Sequence, residues 1–172
     1  MSQSCLDCAQ RSDRIFCDLE PEALEEFDGI KTLETYPRGT VLFREGQTAR
    51  GIFLLCEGRV RLSVCSESGR RMTLRMATPG EVLGLSAALS GGLYEVTGEV
   101  VDQVQVAEVR RKDLLHFLHQ HCDVCLQVVN LLSEDLHEAY DRVRAVGLAR
   151  TRHTNGHGVH GHGFHGHGLH LR

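Results

Sequence analysis

Ile52-Phe53-Leu54-Leu55-Cys56-Glu57-Gly58-Arg59-Val60-Arg61-Leu62-Ser63-Val64 is the stretch on which the fold class turns. Ile52 to Leu55 is a short apolar run of buried-strand type, closed by Glu57-Gly58. Val60, Leu62 and Val64 then alternate with Arg59, Arg61 and Ser63. A period of two places one face on a core and the other in water. Ser66-Glu67-Ser68-Gly69 reads as a hairpin loop, and the alternation resumes at Met72, Leu74 and Met76 with Thr73 and Arg75 between them.

The pattern extends in both directions. Upstream, Tyr36-Pro37-Arg38-Gly39 is a turn, Val41 and Phe43 lie on one side of a strand, and Gly46 ends it. Downstream, Pro79-Gly80 turns the chain, and Val96, Val100, Val104 and Val106 belong to later strands. Short strands with regular Gly punctuation indicate a sandwich, jelly roll or barrel. A short helix is expected over residues 21–27, with Pro21 in the first turn, Glu22, Glu25 and Glu26 among its residues, and Ala23, Leu24 and Phe27 as its apolar stripe.

After the strands the period changes. Leu114 to Leu118 starts a helical region. From Cys122 the apolar positions Val124, Val128, Val129, Leu132, Leu136, Ala139, Val143 and Val146 follow in steps of three and four, with acidic and basic residues on the other side. A helix of about 26 residues spans about 39 Å, more than a small β-roll needs to cap itself. A second copy of the same helix is the simplest partner for the surplus stripe. The domain reading is therefore a Cys-containing segment at 1–20, a β-roll at 21–121, a dimerisation helix at 122–149 and a disordered His/Gly-rich tail at 150–172.

Composition sets outer limits. The chain has 172 residues, 41% of them hydrophobic, which suits one domain with appendages. The net charge of −4 argues against a broadly basic nucleic-acid surface. No apolar run approaches the roughly 18–20 residues that span a bilayer, and residues 1–13 lack an apolar signal core. A cytoplasmic location, without membrane contact, is the expectation. In that compartment the seven Cys stay as thiols or bind metal.

Tyr36-Pro37-Arg38-Gly39, Phe43, Glu45-Gly46, Phe53, Gly58-Arg59-Val60, Gly80-Glu81-Val82-Leu83-Gly84 and Asp113-Leu114, in this order, resemble the effector domain of the CRP/FNR family of bacterial transcription regulators. The resemblance covers about residues 14–149. It implies a double-stranded β-helix of the jelly-roll, cyclic-nucleotide-binding-like type, followed by a long dimerisation helix. It further implies a homodimer, a signal-sensing role without catalysis, and a C-terminal helix-turn-helix domain that reads DNA. Nucleotide-binding members of the family carry a phosphate cassette that begins Gly-Glu, places a Glu on the ribose hydroxyl and holds the cyclic phosphate with Arg-Ser-Ala. Counted without gaps from Gly80, Glu81 and Gly84, the ribose position is Leu85, and the phosphate positions are Glu95, Val96 and Thr97. A carboxylate repels a phosphate that an Arg fork would clamp. Cyclic AMP and cyclic GMP are therefore not expected to bind, and a different ligand remains open.

Cys5, Cys8 and Cys17 resemble the N-terminal cysteines of the family's oxygen sensors, which wrap an iron–sulfur cluster. The sensors' fourth Cys falls near Ala107, where this chain has none, and only Cys122 or Cys125 would substitute. A zinc clip at the same three residues and incidental free thiols are the other readings. Cys56 and Cys65 read as core or surface thiols. Cys122-x2-Cys125 reads as packing, with a metal or redox pair as the alternative.

The tail carries seven of the eleven His. His157, His160, His162, His165 and His167 are candidate ligands for a divalent metal. Gly at every second or third position opposes a helix there, so the tract offers no recognition helix and DNA binding by this chain is not expected. Three origins stay open: a frameshift or truncation that removed the DNA-binding domain, a native regulator with a metal-binding tail, and an incidental low-complexity tail. A metal- or redox-responsive protein using these Cys or His is the alternative function. A cupin-type metal oxygenase wants His on facing strands. Residues 40–110 contain no His, which argues against that enzyme reading.

Overall fold

The computed structural model describes residues 15–16 and 18–154. The chain divides into two compact units, Met1–Leu132 and Ser133–Arg172. The first unit is the β-roll with its flanking helices. Helix α1 (Pro21–Ile30) leads into eight strands: β1 (Lys31–Tyr36), β2 (Val41–Phe43), β3 (Gly51–Glu57), β4 (Val60–Cys65), β5 (Arg71–Ala77), β6 (Val82–Leu83), β7 (Thr97–Val100) and β8 (Val104–Arg110). Helix α2 (Leu85–Ser90) lies between β6 and β7, and α3 (Arg111–Gln120) and α4 (Cys122–Thr154) follow β8.

The strands form two four-stranded antiparallel sheets. Their orders are β1-β8-β3-β6 and β2-β7-β4-β5. Chain neighbours are mostly not sheet neighbours, which is the jelly-roll arrangement expected from the strand spacing. Gly58 makes the tight β3–β4 turn. Its φ is +80°, and a Cβ there would lie 2.3 Å from the Gln103 carbonyl oxygen, so no side chain fits.

Two apolar clusters fill the unit. One lies between the roll and the helices and contains Phe16, Phe27 and Phe117 with Leu24, Ile52, Leu54, Leu114 and Val124. The other lies inside the roll and contains Phe43, Leu55, Val60, Leu62, Tyr94, Val100 and Val106. The expected apolar faces of β2, β3 and β4 give Phe43, Leu55, Val60 and Leu62 to the second, while Ile52 and Leu54 of β3 belong to the first.

Several expectations need correction. The polar face of β4 does not all meet water, because Ser63 is buried. The β4–β5 register shifts between Leu62 and Ser63, so strict alternation fails at that bulge. Helix α1 continues to Ile30, and β1 follows directly. Helix α4 continues past 149 to Thr154, because Arg150 to Thr154 contain no Gly.

The long helix also does not present a single stripe. Val124 and Val128 are buried, and Leu131 and Leu132 pack on the first cluster. Leu126, Val129, Leu136, Tyr140, Val143 and Val146 are exposed, each by more than half. Among the described residues, no helix is long and apolar enough to cross a membrane.

One cross-strand contact yields a pH prediction. The Tyr36 hydroxyl donates to Glu108 Oε1 at 2.6 Å, from β1 to β8. That hydrogen bond to a carboxylate, helped by burial, pushes the phenol up to about 12 from its ordinary 10.0. Between those values the unfolded chain has lost the proton and the folded chain keeps it. The contribution of Tyr36 is therefore whole below pH 10 and falls away as pH rises towards 12. Phenolate absorbance should lose one late-titrating component in Tyr36→Phe, with the late component of Tyr94 remaining; an unchanged titration curve would refute the assignment.

Candidate effector-binding site

The cassette positions run from the β5–β6 turn through α2 to β7. Gly80 sits in the turn with φ +88°, and its N–H donates to the Leu55 carbonyl at 2.6 Å. Glu81 closes the turn. Its Oε1 accepts from the backbone N–H and the hydroxyl of Thr78, both at 2.8 Å, and its Oε2 accepts from Arg75 Nη1. Burial alone would push this carboxyl up, but the Arg75 and Thr78 hydrogen bonds outweigh it and hold the group below its ordinary value. Glu81 is thus committed to scaffolding. Arg75 shares a cross-strand pair with buried Leu62, so it lies on the inner face of β5.

Gly84 begins α2 in the left-handed region, φ +77°. A Cβ there would stand 2.6 Å from the Tyr94 ring. Tyr94 is buried, lies 4.6 Å from the Phe43 ring between centroids and donates its hydroxyl to the Gly51 carbonyl at 2.8 Å. Burial is the main cause that raises its phenol pKa, so it stays a neutral donor. The far end of α2 is capped by Arg111, whose Nε donates to the Ala88 carbonyl at 2.7 Å.

The four decisive positions follow from this frame. Leu85, at the ribose position, is 4% exposed and belongs to the first core cluster. Glu95 is exposed. Val96 is partly buried and packs on the second cluster. Thr97 is buried, and its Oγ1 accepts from the Glu45 N–H at 3.0 Å, while Glu45 Oε2 accepts from the Cys65 N–H at 2.8 Å. The phosphate positions thus present a carboxylate, an apolar group and a buried hydroxyl whose oxygen accepts from the Glu45 N–H. These residues do not fit a cyclic phosphate, because a carboxylate stands where a guanidinium fork is needed.

Gly84 meets the Tyr94 ring, one residue before Glu95, whereas Leu85 packs in the first cluster and Val96 on the second. Sequence reasoning missed Arg75, Thr78, Glu45 and Tyr94, which occupy the hydrogen-bonding and packing capacity around these positions. Gly84 was the one available signal, because the Tyr94 ring packs where its Cβ would stand.

The metal candidates Cys5, Cys8 and Cys17 lie outside the described residues, as do His157, His160, His162, His165 and His167. Among the described residues, Cys56 packs on the first cluster, Cys65 and Cys122 are exposed, and Cys125 is partly buried. No group of three or more His, Cys, Asp or Glu among them is placed to hold a metal ion.

Comparison with known proteins agrees with this frame. The cyclic nucleotide-binding domain family matches residues 33–121. The chain is 28% identical over 140 residues to the transcriptional activatory protein AadR of Rhodopseudomonas palustris, covering 81% of this chain and 57% of that protein. It is 26% identical over 125 residues to the cyclic AMP receptor protein of Thermus thermophilus, covering 73% and 58%. The crystal structure of the Thermus thermophilus catabolite activator protein superposes with a TM-score of 0.70 at 25% identity, over 77% of this chain and 62% of that one. The chain spans a little over half the length of the curated relatives it matches. The chain belongs to the cyclic nucleotide-binding domain family and is homologous to the CRP/FNR transcription regulators.

Proposed function

We propose that this chain is the sensing and dimerising part of a CRP/FNR-type regulator that does not respond to cyclic AMP or cyclic GMP. The observation that carries the reading is Leu85. Where a ribose-binding carboxylate is required, a leucine is sealed into the core between α2 and the sheet. Glu95 adds a like charge where the phosphate would sit, and Glu81 is bound to Arg75 and Thr78.

The dimer reading draws support from α4. Leu126, Val129, Ser133, Leu136, Tyr140, Val143 and Gly147 follow in steps of three and four, the spacing of a coiled-coil seam. The apolar members that pack on the roll, Val124, Val128 and Leu131, fall outside this series. One helix thus carries a set of residues for its own roll and a second set for a twin helix. The role requires no catalytic residue.

Isothermal titration of the full chain tests the ligand claim. Cyclic AMP and cyclic GMP should give no saturable heat, corresponding to dissociation constants weaker than about 1 mM. Micromolar binding of either would overturn the reading.

A further inference from the structure

We propose that Cys122 and Cys125 form a reversible dithiol–disulfide pair at the start of α4. The site adds a redox-sensitive position to the corner where α3 hands over to α4, and it does not depend on what the roll binds.

Helix α4 begins at Cys122, so Cys125 lies one turn further on. Helix geometry puts their Cα atoms about 5 Å apart, inside the roughly 4.4–6.8 Å range of disulfides. Helical Cβ atoms three residues apart stand about 5–6 Å from each other, so ring closure requires the turn to tighten by about 1–2 Å. The first turn is where that is cheapest, since its N–H groups have few intrahelical acceptors. The bond that spans this turn, Cys125 N–H to the His121 carbonyl, is already long at 3.4 Å.

The two thiols have unequal surroundings. Cys122 is exposed. Cys125 is partly buried against the first core cluster, and its thiol donates to the Leu118 carbonyl at 3.1 Å. That asymmetry divides the labour: Cys122 meets an incoming reagent and Cys125 resolves the product. Exchange with a low-molecular-weight disulfide proceeds in two balanced steps. The Cys122 thiolate attacks one sulfur of the reagent, the reagent's S–S bond breaks, and one small thiol leaves with a proton. The Cys125 thiolate then attacks Cys122 Sγ, the mixed disulfide breaks, and the second small thiol leaves with the other proton. Two cysteine thiols are oxidised and one external disulfide is reduced to two thiols. Closure takes Cys125 Sγ away from the Leu118 carbonyl, so the thiol state acts on the α3–α4 corner. His121 holds that corner too, through Nε2 at 2.7 Å from Glu26 Oε2 on α1 and its ring against Phe117.

The sequence permits a clean assay. Residues 113–142 are bounded by Lys112 and Arg142, contain no internal Lys or Arg, and hold Cys122 and Cys125 as their only cysteines. The full chain is treated with glutathione disulfide, alkylated and digested with trypsin. The expected peptide carries no alkyl group and has lost two hydrogens; prior dithiothreitol should give two alkyl groups instead. Cys125→Ser should stop at a mixed disulfide on Cys122, and Cys122→Ser should form a mixed disulfide on Cys125 at least about tenfold more slowly. Full alkylation of both residues after oxidation would overturn the proposal. So would a covalent dimer joined through Cys122 in place of the intrachain ring.

Discussion

Phe27→Ala should lower the unfolding free energy of the roll unit by about 3–5 kcal/mol. Phe27 is fully buried on α1. It stacks on Phe16 at 4.8 Å with planes 14° apart and meets Phe117 of α3 edge-on at 5.5 Å. Three rings from three separate segments meet here, so truncation leaves a cavity that no single element can close. Domains of this size are stable by about 5–15 kcal/mol, and the loss is therefore a large share of the total. Urea unfolding followed by circular dichroism should show a lower midpoint with an unchanged slope. Phe27→Leu keeps most of the volume and should cost under about 1.5 kcal/mol. A loss below about 1 kcal/mol for the alanine variant would mean that the three rings are not one packed unit.

The second expected result concerns the seam. Leu136→Asp combined with Val143→Asp should convert the dimer to a monomer. In the paired state each aspartate would face its copy in a desolvated stripe, and unpaired buried charge costs about 3–5 kcal/mol. Even the lower figure weakens association by about a hundredfold. Glu134→Lys, on the polar side of the same helix, should leave the mass unchanged. Sedimentation equilibrium separates these outcomes. A wild-type chain that sediments as a monomer, or a double variant that stays dimeric, would sink the dimer reading.

Legibility from sequence followed how local the determinants are. The β4–β5 hairpin was readable as two strands and a loop because Ser66 to Gly69 is contiguous with both. The inner face of β5 was not, since Met72 and Met76 are exposed while Arg75 and Ala77 pair with buried Leu62 and Val60. Strand β1 was not readable, since Leu33 and Tyr36 are its only large apolar residues and it lies at a sheet edge with half its residues exposed. Helix α2 is six small or apolar residues with no side-chain cap, too short for a period to emerge.

The cassette divides in the same way. Counting from Gly80 singled out Leu85, Glu95, Val96 and Thr97 as the cassette positions. It did not reveal what replaced the lost interactions, because those partners come from distant segments: Tyr94 reaches back to Gly51, and Glu45 bridges Thr97 and Cys65. The long helix was recognised but its faces were merged, since a step of three or four alone does not say which residues meet the chain's own core.

The pairing of β1 with β8 has a consequence in time. Lys31 finds its partner at Val109 and Tyr36 at Val104, roughly seventy residues later. At about 5–20 residues per second of synthesis, β1 waits about 4–14 s for the strand that fixes it. The β4–β5 hairpin needs no such delay. The nascent chain thus closes locally in its middle first, and its opening strand stays unmatched at the ribosome until almost the whole roll has been made.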